Sequence, residues 1–274
     1  MLSKSEQWWC TEYTEYADEI HAILRKREYD RIGFDGKAPQ IKWRMHLLQY
    51  IMDVARKHEL TRETVHLAIY IMDIFMDNNM IRLWRLYLVA LTSIRIAAKF
   101  IEKDFTSPQV EALSASVNYS KQDFNILESI MLKMFDWDIN IPTASTFCEY
   151  YADFVVDETD FDNNQALYDC FEDFKLHMKS QAMDFLDLAL FDLSMQHDVQ
   201  PSKLAAMCLA AARYHEFRHL KPVWPNRLMK LTEYKWECIK SDIVKLFSIK
   251  LIPRDQLKAE LDEKINQESD LEFD

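Results

Sequence analysis

Two glycines in 274 residues, Gly33 and Gly36, constrain this chain more than any other feature. Ordinary usage near 7% would supply about 19. Tight hairpins draw on glycine for positive φ, whereas helices do well without it, so the scarcity argues for an all-α fold. Both glycines fall in one loop, between Gly33 and Pro39. The same scarcity argues against a glycine-rich phosphate cradle or a dinucleotide fingerprint, and so against a nucleotide-binding enzyme.

The stretch from Leu86 to Phe100 is the element around which such a fold would be built. Leu86, Val89, Ala90, Ser93, Ile96 and Ala97 share one face of a helix, and Leu88, Leu91, Ile94 and Ala98 the other. A helix apolar on nearly every side belongs inside a bundle. It is shorter than the ~20 apolar residues of a membrane span, and Arg95 interrupts it. Arg95 is expected either to snorkel to the surface or to find a carboxylate. At 274 residues the chain exceeds what one core usually supports, so two domains are expected.

Before the buried helix, Tyr13, Tyr16, Ala17, Ile20, Ile23 and Leu24 recur at helical spacing opposite Asp18, Glu19, Arg25 and Lys26, predicting an amphipathic helix. Trp8 and Trp9 precede it, either as a packed helix end or as an anchor to the body or to a partner. A helix from Lys42 presents Leu47, Leu48, Ile51 and Val54, and Thr61 is placed to cap the next, which carries Val65, Leu67, Ala68, Ile71, Met72 and Phe75. A turn through Thr106-Ser107-Pro108 and a short segment from Val110 lead to a helix from Lys121 to Phe135, with Phe124, Leu127, Ile130, Met131 and Met134 inward.

The plan then repeats. Ala98-Lys99-Phe100 recurs as Ala212-Arg213-Tyr214, and Lys133-Met134-Phe135 as Lys245-Leu246-Phe247, at offsets of 213 − 99 = 114 and 245 − 133 = 112. A second small-residue helix follows Pro201-Ser202, flanked by amphipathic helices over Ala166 to Leu188 and Leu228 to Leu251. Beyond Pro253 the chain is acidic, and a helical start followed by disorder is expected.

Forty-five acidic against 33 basic residues, a net charge of −12, oppose a phosphate-tracking surface, so no nucleic-acid partner is expected. Five widely spaced cysteines without a Cys-x-x-Cys pair read as reduced packing residues of an intracellular protein. The residues before Trp8 do not read as a signal peptide, and neither a leader nor a membrane partner is expected. His215-Glu216-Phe217-Arg218-His219 matches the His-Glu-x-x-His zinc motif, which makes a zinc metallopeptidase a remote alternative. A third ligand is not apparent and Lys221-Pro222 must stop the helix, so two solvated histidines at a helix end is the better account, with neither metal nor cofactor. Arg44 and Asp73 stand on neighbouring apolar-faced helices, where a mutual ion pair is the natural arrangement. Lys99 suits the C-terminal end of its helix, and Glu128 lies close to an apolar stripe.

With Arg44-Met45-His46-Leu47-Leu48, Lys99-Phe100-Ile101-Glu102, Tyr16-Ala17-Asp18-Glu19-Ile20-His21 and Thr64-Val65-His66-Leu67-Ala68 in place, the chain resembles the cyclin family from about Tyr16 to about Ile252. The resemblance implies an N-terminal helix and loop over 1–40, two five-helix boxes over 41–142 and 143–253, and an acidic tail over 254–274. It implies a non-catalytic regulatory subunit that binds and activates a cyclin-dependent kinase in cell-cycle control, in nucleus and cytoplasm; a cyclin-fold adaptor without kinase activation is the alternative. By the same likeness Arg44 and Asp73 form the internal ion pair, Lys99 and Glu128 grip the kinase, and Ile96, Phe100, Trp137 and Ile139 supply the apolar part of that contact. Asp53 and Leu47 match a groove that takes Arg-x-Leu motifs of substrates and inhibitors. Trp43, His46, Gln49, Tyr50 and Tyr87 replace residues common there, which implies lost or altered docking. Arg254-Asp255-Gln256-Leu257 loosely fits an Arg-x-x-Leu degradation signal.

Overall fold

A computed structural model describes residues 16–103, 119–161, 168–217, 222–249, 261, 263 and 264, and every regular element among them is helical. The first half contains α1 (Ala17–Arg27), α2 (Arg44–Lys57), α3 (Arg62–Asn78), α4 (Leu86–Ile101) and α5 (Lys121–Met134). In the second lie α6 (Ala144–Ala152), α7 (Glu158–Phe161), α8 (Phe171–Ala189), α9 (Leu193–His197), α10 (Pro201–Phe217), α11 (Asn226–Thr232) and α12 (Trp236–Ser248).

Two cores form, each around one small-residue helix. Every residue of α4 from Leu88 to Ala98 is buried, and α4 packs against α2, α3 and α5. In the second half α10 holds the same place against α6, α8 and α12. Such helices approach closely because alanine and serine keep their surfaces flat, as Ala205, Ala206, Ala210, Ala211 and Ala212 do in α10. Thr61 caps α3 as its position in the sequence suggests, its hydroxyl accepting from Thr64 N at 3.3 Å. Glu102 closes the other end of the same corner, its Oε1 accepting from Thr61 N at 2.8 Å and Thr64 Oγ1 at 2.5 Å. The C-terminus of α4 is thereby tied to the N-terminus of α3.

Several expectations need correction. On α1 the apolar stripe is divided: Leu24 packs against the second core, while Tyr16, Ile20 and Ile23 are exposed. Polar side chains complete the docking: His21 shares a 2.8 Å hydrogen bond with Tyr151, and Arg25 reaches Ser202 and Tyr234. Ile130 of α5 is exposed as well. The proposed helix from Leu228 to Leu251 breaks at Glu233, which adopts φ 63°, and its N-terminal partner begins at Phe171 rather than Ala166. Beyond Pro253 the described residues 261, 263 and 264 are helical, in keeping with the expected helical start, and Leu261 is fully buried in the first core. Cys148 and Cys208 are buried packing residues, but Cys170 and Cys238 are exposed. Trp8, Trp9, Tyr13, Thr106-Ser107-Pro108, Val110 and Arg254-Asp255-Gln256-Leu257 lie outside the described residues.

The two halves meet through polar contacts. Arg62 of α3 pairs with Asp184 at 3.0 Å and Asp187 at 3.4 Å on α8, and Thr146 of α6 donates to Glu63 at 3.1 Å. Burial pushes the Glu63 carboxyl above its ordinary range; the Thr146 hydrogen bond opposes this, and the Glu149 and Glu102 charges add to it.

Candidate functional site

Lys99 and Glu128 lie 29 residues apart and are brought together by the packing of α5 on α4. The Lys99 ammonium donates to both Glu128 carboxylate oxygens, at 2.8 and 3.0 Å. Lys99 can stand free of the core because it lies in the last turn of α4, two residues before Ile101, where a cation also suits the helix dipole. Its side chain is 41% exposed, and that of Glu128 is 16% exposed. Beneath them Arg95, buried on α4, donates through Nη2 to Asn125 Oδ1 at 2.9 Å and meets Glu128 Oε2 at 3.2 Å. Of the two fates expected for Arg95, it has found the carboxylate.

Apolar surface accompanies this charged group in the same two helices and the turn that follows α5. Phe100 is 49% exposed and Trp137 63% exposed, while Ile139 is partly buried. Ile96, expected in the same set, is buried and supports the surface from within. The turn after α5 explains how an indole comes to stand in solvent. Trp137 N donates to Leu132 O and Asp136 N to Lys133 O, the paired bonds of a Schellman ending, with Asp136 at φ 49° and Trp137 at φ 62°. No glycine serves this position, although the left-handed conformation favours one. Exposed aromatic rings beside a charged pair are the composition of a protein-binding surface.

Arg44 and Asp73 meet at 2.8 Å, both buried. Their pair also joins the two halves: Arg44 Nη1 donates to Leu190 O at 2.7 Å, and His197 of α9 reaches Asp73 Oδ2 at 2.9 Å while stacking on Phe34 at 3.9 Å. Burial alone would raise the Asp73 carboxyl, but the Arg44 charge and the hydrogen bonds from His197 and Arg44 outweigh it and hold it below the ordinary range. His197 carried no signal in the sequence, being a lone histidine on a short helix.

The second half has its own buried pair in place of a surface cation. Arg213, which matches Lys99 in the internal repeat, is 1% exposed. It binds Asp160 at 2.7 Å and donates to the carbonyls of Val155, Pro222 and Val223. The repeat therefore conserves a helix end and not a function.

Around the supposed docking groove, Trp43, His46 and Leu47 are buried. His46 Nε2 and the Tyr87 hydroxyl share a 2.8 Å hydrogen bond, and Tyr50 lies edge-on to Tyr87 at 5.0 Å. Asp53 pairs with Arg56 at 2.9 Å. The side chains expected to receive a peptide are packed on one another. Of the zinc motif, Glu216 accepts from the Tyr168 hydroxyl at 3.2 Å and His215 lies edge-on to Phe185. His219 falls outside the described residues, and α10 is described only to Phe217.

Comparison with known proteins gives a consistent family. The cyclin N-terminal domain matches residues 14–140 and the cyclin C-terminal domain residues 142–269. The chain is 33% identical to Cyclin-J of Homo sapiens over 247 residues, covering 88% of this chain and 62% of that protein. It is 26% identical to Cyclin-A2 of Gallus gallus, covering 85% of this chain and 55% of the relative. The chain thus spans between half and two thirds of the length of these curated relatives. Among solved structures, a viral cyclin from herpesvirus saimiri aligns with a TM-score of 0.65 at 15% identity, over 86% of this chain and 96% of that one, which supports the fold.

Proposed function

The chain belongs to the cyclin family, and on that premise we propose that it is the regulatory subunit of a cyclin-dependent protein kinase, which it binds and activates in cell-cycle control. The observation that carries the reading is the Lys99–Glu128 pair, standing at the surface on the two helices that bear Phe100 and lead into Trp137. A charged pair gives a partner its orientation, and exposed rings give it buried area. The chain performs no chemistry in this reading. Docking pushes the regulatory helix of the kinase inward, completes its lysine–glutamate pair and helps to order its activation loop.

The packed state of Trp43, His46, Leu47, Tyr50 and Tyr87 supports a second part of the proposal: substrates are not recruited here through an Arg-x-Leu groove. Affinity capture against a panel of recombinant cyclin-dependent kinases, followed by phosphorylation of a histone-type substrate, tests the whole. Retention of a kinase and phosphorylation above that of the kinase alone are expected. A chain that retains none, or whose Lys99→Ala/Glu128→Ala variant binds as well, overturns the proposal.

A further inference from the structure

The site has a third charged member that surface chemistry alone does not require. Arg95 lies in the wall of α4, in a run of otherwise small or apolar buried residues, and is 6% exposed. Packing alone would place an apolar side chain there. Only Nη2 of the guanidinium makes a hydrogen bond; Nε and Nη1 are buried without a hydrogen-bond partner among the described residues, and the guanidinium carbon lies over the Phe124 ring at 5.9 Å. Burying a guanidinium so incompletely is costly, and the pair it makes with Glu128 is not expected to repay the desolvation.

The arrangement has an order. Glu128 is held from beneath by Arg95 and from outside by Lys99, and Oε2 is shared between them at 3.2 and 3.0 Å. Asn125, one turn before Glu128, accepts from the same Nη2 at 2.9 Å, fixing the guanidinium on α5. Lys99 is the exposed member and Arg95 the buried one. When a partner covers this surface, Lys99 must turn at least one donor towards it. Without Arg95 that movement would leave Glu128 desolvated and uncompensated, the most unfavourable outcome for a carboxylate at an interface.

We propose that Arg95 is a positioning and specificity-determining residue of the kinase interface: it fixes the Glu128 carboxylate and neutralises it from below, freeing Lys99 to bind the kinase. The inference rests on the kinase-binding reading. The Arg95–Lys99–Glu128 triad itself is net positive, since two cations share one carboxylate, so the group that meets Lys99 on the kinase is an acceptor: a backbone carbonyl or a carboxylate.

A double-mutant cycle on the full chain tests it. Dissociation from a recombinant cyclin-dependent kinase that the wild-type chain retains is measured by biolayer interferometry for wild type, Arg95→Met, Glu128→Gln and the double variant. Arg95→Met is expected to weaken binding about tenfold, mainly through faster dissociation, and to have almost no further effect in the Glu128→Gln background. Thermal unfolding of Arg95→Met should match or exceed wild type, because a buried charge has gone; Arg95→Leu provides a second apolar variant if the methionine packs poorly. Equal affinity in Arg95→Met, or the same loss with and without Glu128, overturns the inference. If those results come with a marked loss in Lys99→Ala, the kinase-binding reading survives and Arg95 alone is misassigned. A wild-type chain that binds no kinase overturns both.

Discussion

The Glu28 carboxylate sits on the first turn of α10, accepting from Ser202 N at 3.0 Å and Ser202 Oγ at 2.9 Å across 174 residues of sequence. The central helix of the second box thus receives its N-terminal acceptor from the segment that precedes the first. A carboxylate suits that place, because the first helical N–H groups lack intrahelical partners and the dipole favours negative charge. Arg25 neutralises Glu28 at 2.9 Å from within the same segment.

Glu28→Ala should therefore destabilise the second box. The expected cost is about 3 kcal/mol, since an N–H, a hydroxyl and a guanidinium lose one buried acceptor together. Glu28→Gln keeps the shape and should cost less. Urea unfolding followed by tryptophan fluorescence measures both. A Glu28→Ala protein as stable as wild type would show that the N-terminal segment merely rests on the box.

Asp73→Asn should loosen the contact between the boxes as well as the first core, because Asp73 serves Arg44 and His197 together. A loss of about 3–5 kcal/mol is expected at neutral pH, the usual consequence of breaking a buried pair. The pH dependence follows from the depressed carboxyl. A folded-state value below the ordinary 3.8 contributes stability that is complete above the unfolded value and is lost as pH falls through the folded one. The gap between variant and wild type should consequently narrow below about pH 4 in unfolding titrations. A gap constant down to about pH 2 would mean that the charge on Asp73 is irrelevant.

Glu63 predicts the opposite sign. Its carboxyl is raised above 4.5, so the folded state prefers it protonated, and its ionisation takes stability away as pH rises from that value. Glu63→Gln retains an acceptor for the Thr146 hydroxyl and removes the charge beside Glu149 and Glu102. The variant should melt above wild type at pH 7 and converge with it below about pH 4.5. Differential scanning calorimetry at the two pH values decides; a variant less stable at pH 7 would show that Glu63 is needed as an anion.

An Arg-x-Leu peptide should bind weakly at best, with Kd above about 1 mM by fluorescence polarisation. Trp43 and Leu47 are inaccessible, and the Asp53 carboxylate that would meet the arginine is held by Arg56. Micromolar binding would require Tyr50 and Tyr87 to part, which would contradict the packed arrangement.

What could be read from sequence was whatever depended on local pattern. The all-round apolar run of α4, the Thr61 cap and the meeting of Arg44 with Asp73 follow from helical spacing and the cost of lone buried charges, whereas Lys99 and Glu128 were brought together only by the family resemblance. Periodicity found the helix α1 but not its docking: Leu24, His21 and Arg25 meet the second half, and the isoleucines face solvent. It could not locate the break at Glu233, where a non-glycine residue adopts a left-handed conformation. The contributions of His197 and Glu28 were invisible because each partner lies more than a hundred residues away. Arg95 stood out in the sequence as an anomaly, but Glu128 could be assigned to it only once α5 was placed against α4.

Trp137 offers the sharpest separation of function from stability. It holds φ 62°, which costs an L residue about 1 kcal/mol or more, and leaves a large ring 63% exposed; folding gains from neither. Glycine adopts this conformation without strain, so Trp137→Gly should stabilise the chain by about 0.5–1 kcal/mol, allowing for the greater freedom of glycine when unfolded. The same substitution removes an exposed aromatic anchor of the proposed interface. Kinase binding should then fall about thirtyfold, as for a hot-spot residue near 2 kcal/mol. Trp137→Ala should lose the affinity without gaining the stability. Calorimetric unfolding and interferometry on the same preparations measure both quantities. A glycine variant that gains stability and keeps its affinity would remove Trp137 from the interface, and one that loses both would mean that the indole supports the end of α5.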